Sequence, residues 1–230
     1  MARLLIHVEG QTEEDFVNAV LRGHLIAAGY ESVSARIIGN ARLRRLRGGI
    51  RPWPTVRKDI INHLRQDVGA VATTMVDYYG LPKTGDGAWP GRDRAIALQG
   101  ENKALHVEEA LLEDFKCQTV GGVNSSRFVP FVVMHEFEGL LFSDCQAFAA
   151  GIGRPDLENA FRRIRSDFES PEHINDSPVT CPARRIEDLV PEYEKPLFGI
   201  LAILEIGLEP IRAECRHFDQ WLKSLEAAVR

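Results

Sequence analysis

Arg3-Leu4-Leu5-Ile6-His7-Val8-Glu9-Gly10-Gln11-Thr12-Glu13-Glu14 is the stretch whose reading decides the fold. Residues 3–8 form a short apolar run of strand length, followed at once by an acid, a glycine and polar residues suited to a helix start. Thr12 with Asp15 three residues on looks like a capping-box variant that opens a helix to about Ala28, where Gly29 stops it. A buried strand that runs straight into a helix is the unit of a parallel α/β sheet, and Glu9 then falls on the carboxyl edge, where such sheets bind ligands. The unit repeats. Ser34 to Ile38 reads as a second strand, Pro54 to Gln66 as a helix, and Ala70 to Val76 as a third strand ending in Asp77. A helix from about Lys103 to Phe115 and a nearly all-apolar strand from Phe128 to Met134 follow. This pattern predicts a mainly parallel four-stranded sheet flanked by helices over residues 1–142.

After Asp144 only helical patterns remain, near Ala147 to Ala150, Pro155 to Phe168, Ala183 to Val190, Pro196 to Ile206 and Pro210 to Val229. Residues 143–230 are therefore expected to form an all-helical extension packed on the core. The stretch from Leu81 to Gly100, rich in Gly, Pro and charge, reads as a long surface loop with functional potential. At 230 residues the chain suits one compact unit, and 44% apolar with 27% charged residues excludes wholesale disorder. A net charge of -5 argues against a generic polyanion binder, so any nucleic-acid contact has to come from a local patch. Cys117, Cys145, Cys181 and Cys215 are dispersed and form no C-x-x-C pair, which fits reduced thiols. With no signal-peptide pattern and no run of membrane-spanning length, a soluble cytoplasmic protein is expected.

Three acidic sites end predicted strands. Glu9 stands where a carboxylate and helix-terminal N–H groups can meet one phosphate, and Gly10 lets the backbone turn there. Asp77 ends the third strand in the same manner, followed by Tyr78 and Tyr79, which can line a pocket or pack in the core. His135-Glu136-Phe137-Glu138 ends the fourth. If that segment stays extended, Glu136 and Glu138 share a side; if it is helical, His135 and Glu138 do. It is not a zincin motif, because Gly139 stands where the second histidine would be. Hard oxygen ligands at neighbouring strand ends suggest magnesium or manganese held by Glu9, Asp77 and one of Glu136 or Glu138, with Glu13 or His135 as proton carriers. A basic run holds Arg36, Arg42, Arg44, Arg45, Arg47, Arg51, Arg57 and Lys58, with no acid between Ser32 and Lys58. Arg42, Arg44, Arg45, Arg47 and Arg51 are the candidate contacts to a DNA or RNA backbone, although such a run also suits an acidic protein partner. Neither a P-loop nor a G-x-G-x-x-G fingerprint is present, which disfavours those nucleotide folds.

Glu9-Gly10-Gln11-Thr12-Glu13, Asp77-Tyr78-Tyr79-Gly80, His135 to Phe142, Pro171-Glu172-x-Ile174-Asn175-Asp176 and Phe218-x-x-Trp221-Leu222 come in the order of an uncharacterised bacterial family of domains of unknown function. The chain resembles that family, whose core is Toprim-like, over essentially its whole length. The resemblance implies a Toprim-like, Rossmann-like core around magnesium, and an ABC-type or AAA ATPase partner in mobile-element or phage-defence settings. Toprim folds place a glutamate after the first strand and an Asp-x-Asp pair after a later one. Glu9 and Asp77 match, but Tyr79 stands in place of the second aspartate, so Glu136 or Glu138 has to supply the missing ligand. The expectation is a magnesium-dependent, nuclease-like phosphodiesterase acting on nucleic acid. The alternative is a non-catalytic regulatory or binding subunit of an ATPase.

Overall fold

The computed structural model describes residues 2–38, 50–119, 122–174, 177 and 179–229. Five strands form one parallel sheet: β1 (Arg3–Val8), β2 (Ser32–Ile37), β3 (Ala70–Asp77), β4 (Phe128–Val129) and β5 (Val132–Val133). Their order is β2-β1-β3-β4, with β5 also on β3. Val8 lies opposite both Ile37 and Met75, so β1 and β3 end nearly level and Glu9 and Asp77 emerge on one edge. The expected fourth strand is two short pieces because Pro130, which has no N–H to donate, interrupts it. The buried Thr74 hydroxyl fills the gap, donating to the Phe131 carbonyl and accepting from the Phe131 N–H, both at 2.9 Å.

Between the strands lie α1 (Gln11–Phe16), a π-helical turn at Val17–Leu21, α2 (Arg22–Ala28), α3 (Trp53–Gln66) and α4 (Asn102–Gln118). The helical half contains α5 (Cys145–Gly151), α6 (Glu158–Ser166), α7 (Pro182–Leu189), α8 (Lys195–Ile206), α9 (Leu208–Glu214) and α10 (Arg216–Ala228). Cys215 divides what the spacing presents as one final helix. The capping box is also displaced from its expected place at Thr12. Gly10 is the N-cap and its N–H donates to the Glu13 carboxylate at 2.9 Å, because that is the first donor left without a helical partner.

Each face of the sheet carries its own apolar cluster. Leu4, Ile6 and Val8 of β1 join Phe16, Phe131, Phe218, Trp221 and much of the helical half. Ala70, Ala72 and Val76 of β3 join Trp53, Val56, Val107, Leu111 and Phe115 on the other side. Leu81, Trp89 and Ala95 belong to that second cluster, with the Trp89 ring tilted against Trp53 at 5.1 Å, so the stretch 81–100 is a surface segment pinned to the core at these points while residues 83–86 and 96–99 stay exposed. Among the described residues no helix is long and apolar enough to cross a membrane.

Helices α5 and α8 approach backbone to backbone at Gly151. A Cβ there would stand 2.8 Å from the Ala202 Cα and 2.9 Å from the Leu201 carbonyl. Gly151→Ala is therefore expected to cost about 1–3 kcal/mol through overpacking. Chemical denaturation checks this; an unchanged midpoint would mean that the two helices part without cost.

Candidate metal and phosphate site

Backbone amides and carboxylates join the strand ends. The Asp77 N–H donates to Glu9 Oε2 at 3.2 Å, and the Phe137 N–H donates to Asp77 Oδ1 at 2.9 Å. Each acid is thereby oriented by the backbone of the next segment, with its second oxygen left over for other chemistry. Glu9 and Asp77 are half-buried, whereas Glu13 and Glu138 are buried. Gly80 leaves the space beside Glu9 open: a Cβ there would lie 3.0 Å from Glu9 Oε1.

Burial pushes the Glu9 carboxyl up to about 8, and the Glu13 charge adds to the rise. Glu13 is pushed up to about 7 by burial and by Glu138, and Asp77 is raised well above its ordinary value by burial and by Glu9, Glu13 and Glu138. These four acids occupy one poorly solvated space in which several like charges are costly. Their counter-charge comes from the helical half. Lys195, the first residue of α8, bonds Glu138 Oε2 at 3.1 Å, and the surrounding acids hold its ammonium firmly charged against the opposing effect of burial. Beside it the Tyr193 hydroxyl is buried with no hydrogen-bond partner among the described residues, and burial and Glu138 raise its pKa.

The other expected site residues lie elsewhere. Glu136 accepts from the Ala183 N–H at 3.1 Å and so caps the start of α7, leaving Glu138 as the acid of this pair that faces the cluster. His135 is buried, and its Nδ1 donates to the Ile174 carbonyl at 3.0 Å, on the wall of a separate cleft. Arg51 is ion-paired with Asp59 at 2.8 Å. Arg42, Arg44, Arg45 and Arg47 lie outside the described residues. Lys195 and Tyr193 had no expected role. Their only sequence signal is a polar pair ahead of the helix that Pro196 opens.

Among the described residues, no three His, Cys, Asp or Glu side chains already stand as a metal-holding group. The donor chemistry nevertheless fits a hard divalent cation. All donors are carboxylate oxygens, three of the acids are oriented by backbone amides, and burial first and neighbouring acids second raise their pKa values, so a cation there would favour the ionised forms.

Fold and site together define a parallel α/β protein with a carboxylate-rich edge that Lys195 faces. The chain belongs to the DUF4276 family, a domain of unknown function, whose model matches residues 8–226. No curated protein matches it. Among solved structures it is similar to the C-terminal region of the Burkholderia pseudomallei OLD protein, at 17% identity with both chains fully covered and a TM-score of 0.46. It is also similar to the C-terminal region of the Xanthomonas campestris pv. campestris OLD protein. The platinum-phased structure of that region gives 16% identity, 99% of this chain and 94% of the other, and a TM-score of 0.42.

Proposed function

We propose that this protein is a magnesium-dependent phosphodiesterase acting on nucleic acid. The observation that carries the reading is the meeting of Glu9, Glu13, Asp77 and Glu138 on the carboxyl edge of the parallel sheet. Glu9, Asp77 and Glu138 would hold the metal, which when bound polarises a phosphoryl oxygen and makes a water more acidic. Glu13, with its pKa near 7, can accept a proton from that water at neutral pH and release it again. Lys195 offers an ammonium to a phosphate oxygen once Glu138 turns to the metal. The basic run that includes Arg42, Arg44, Arg45, Arg47 and Arg51 would hold the polynucleotide backbone, with Arg51 first leaving Asp59. The motif resemblance supports a place in a bacterial defence or DNA-processing system beside an ABC-type or AAA ATPase.

The ion pair of Lys195 with Glu138 favours a second reading. In it the ammonium permanently neutralises an edge that no longer takes metal, and the protein is a binding or regulatory subunit of the ATPase. One set of measurements separates the two. Labelled DNA and RNA are incubated with the purified protein in magnesium or in EDTA, alongside Glu9→Gln and Asp77→Asn. Cleavage that needs magnesium and disappears in both variants is the expected result. Equal activity in all three proteins would remove the proposed site, and absence of magnesium binding by calorimetry would favour the second reading.

A further inference from the structure

The acids at the strand ends are held unequally. Glu9 accepts the Asp77 N–H and Asp77 accepts the Phe137 N–H, so a backbone amide orients each of them. Glu138 is buried, and the donor to its carboxylate is the Lys195 ammonium at 3.1 Å. In the phosphodiesterase reading, Glu138 has to leave this lysine to serve as a ligand. A carboxylate that turns in this way needs another donor to fix its new position, because metal-ligating carboxylates are themselves hydrogen-bonded by the groups around them.

Tyr193 carries a donor that is otherwise unused. It is 8% exposed, and its hydroxyl has no hydrogen-bond partner among the described residues. Its N–H donates to the Val190 carbonyl at 2.9 Å and its ring stacks on Phe198 at 5.8 Å, so backbone and ring are both held. The hydroxyl and the Phe137 ring meet at Gly199 of α8, where a Cβ would lie 3.6 Å from the one and 3.9 Å from the other. The hydroxyl therefore stands beside the segment that carries Glu138. Of the carboxylates that act on it, Glu138 acts most strongly, followed by Glu187 and Glu136. Glu136 already accepts the Ala183 N–H and Glu187 lies 3.8 Å from Arg184, which leaves Glu138 as the acid for Tyr193 to serve. A buried hydroxyl without a partner costs stability, and such a group calls for a partner that arrives in another state of the site.

We propose that Tyr193 is the positioning residue of Glu138: when this carboxylate leaves Lys195 to hold a metal, the tyrosine hydroxyl donates to it and the ammonium is released for the substrate phosphate. Tyr193 precedes Lys195 by two residues, so one short segment ahead of α8 carries both halves of the exchange. The inference rests on the metal-binding part of the phosphodiesterase reading, but its test does not require turnover.

Calorimetric titration with magnesium compares four proteins: the parent, Tyr193→Phe, Glu138→Ala and the double variant. Tyr193→Phe is expected to weaken magnesium binding about tenfold, as the loss of a group that orients a metal ligand does. The same variant should melt in EDTA at or above the parent temperature, because the hydroxyl that it removes has no bond there to lose. In the Glu138→Ala background, the tyrosine substitution should change magnesium affinity less than about twofold, since the tyrosine acts through that carboxylate. An equal loss in both backgrounds would overturn the proposal, as would a melting temperature of Tyr193→Phe in EDTA clearly below that of the parent. Magnesium bound equally well by parent and Tyr193→Phe would defeat the role of the tyrosine and leave the metal site standing. A parent that binds no magnesium would defeat the metal reading and this inference together.

Discussion

Trp221→Ala is expected to destabilise the protein by about 4 kcal/mol, the range of fully buried tryptophan truncations. Trp221 is 4% exposed, lies parallel to Phe131 with centroids 4.3 Å apart, and packs on Phe218 at 5.4 Å. Its indole N–H donates to the Thr73 hydroxyl at 2.9 Å, which ties α10 to the middle of β3. Truncation removes the ring, leaves a cavity between sheet and helix, and takes away one partner of a buried hydroxyl. Thr73 keeps its bond to the Thr74 carbonyl, so the cavity dominates the cost. Trp221→Phe keeps most of the packing and should cost only about 1–2 kcal/mol. Urea denaturation of the three proteins provides the comparison. A loss below about 1 kcal/mol in the alanine variant would mean that α10 is not locked to the sheet. Because α10 carries the His217 and Phe218 amides that clamp the buried Glu172, the same variant is also expected to loosen that anchor.

The parts of this architecture that the sequence discloses are the local ones. Residues 4–8 and 70–76 are mainly apolar runs of strand length, and an acid that follows such a run emerges at the end of a strand, so Glu9 and Asp77 could be placed from the order of residues alone. What depends on packing at long range could not be placed. Lys195 reaches Glu138 across 57 residues of sequence, and no periodicity marks it. Whether Glu136 or Glu138 faces the cluster turns on the amide of Ala183, which captures Glu136. Composition discloses only part of residues 81–100: the exposed residues 83–86 and 96–99 match the loop that glycine, proline and charge suggest, whereas the buried Leu81, Trp89, Arg92 and Ala95 are not marked by it. Trp89 donates to the Arg51 carbonyl and Arg92 to the Tyr78 carbonyl, and these bonds anchor the segment to the core at two points.

Without metal, the protein is expected to lose stability as the pH rises from about 5 to 8.5, and magnesium should restore it. Glu9, raised from 4.5 to about 8, and Glu13, raised to about 7, hold protons in the folded state that the unfolded chain gives up near 4.5. Groups of this kind stabilise the fold fully below the unfolded pKa, and that stability is lost as the pH climbs through the folded values. Each proton so held changes stability by about 1.4 kcal/mol per pH unit within that window, so the cluster accounts for a loss of a few kcal/mol. The histidines contribute in opposite directions. Burial lowers His7 to about 4, which gains stability with rising pH, whereas His217 is raised: burial opposes its charge, but Glu108 outweighs it, and that contribution falls with rising pH. Comparison with Glu9→Gln isolates the cluster, because that variant keeps both histidines and should show a shallower decline. In the proposed reading magnesium binds the ionised carboxylates, so at 100 times its dissociation constant it should return about 2.7 kcal/mol at pH 8 and much less at pH 5, where protons compete. The measurement is thermal melting from pH 5 to 8.5 in EDTA and in magnesium. Parent and Glu9→Gln curves that run parallel in EDTA would show that Glu9 ionises as freely in the fold as in water, and the crowded carboxylate edge would then lose its physical basis.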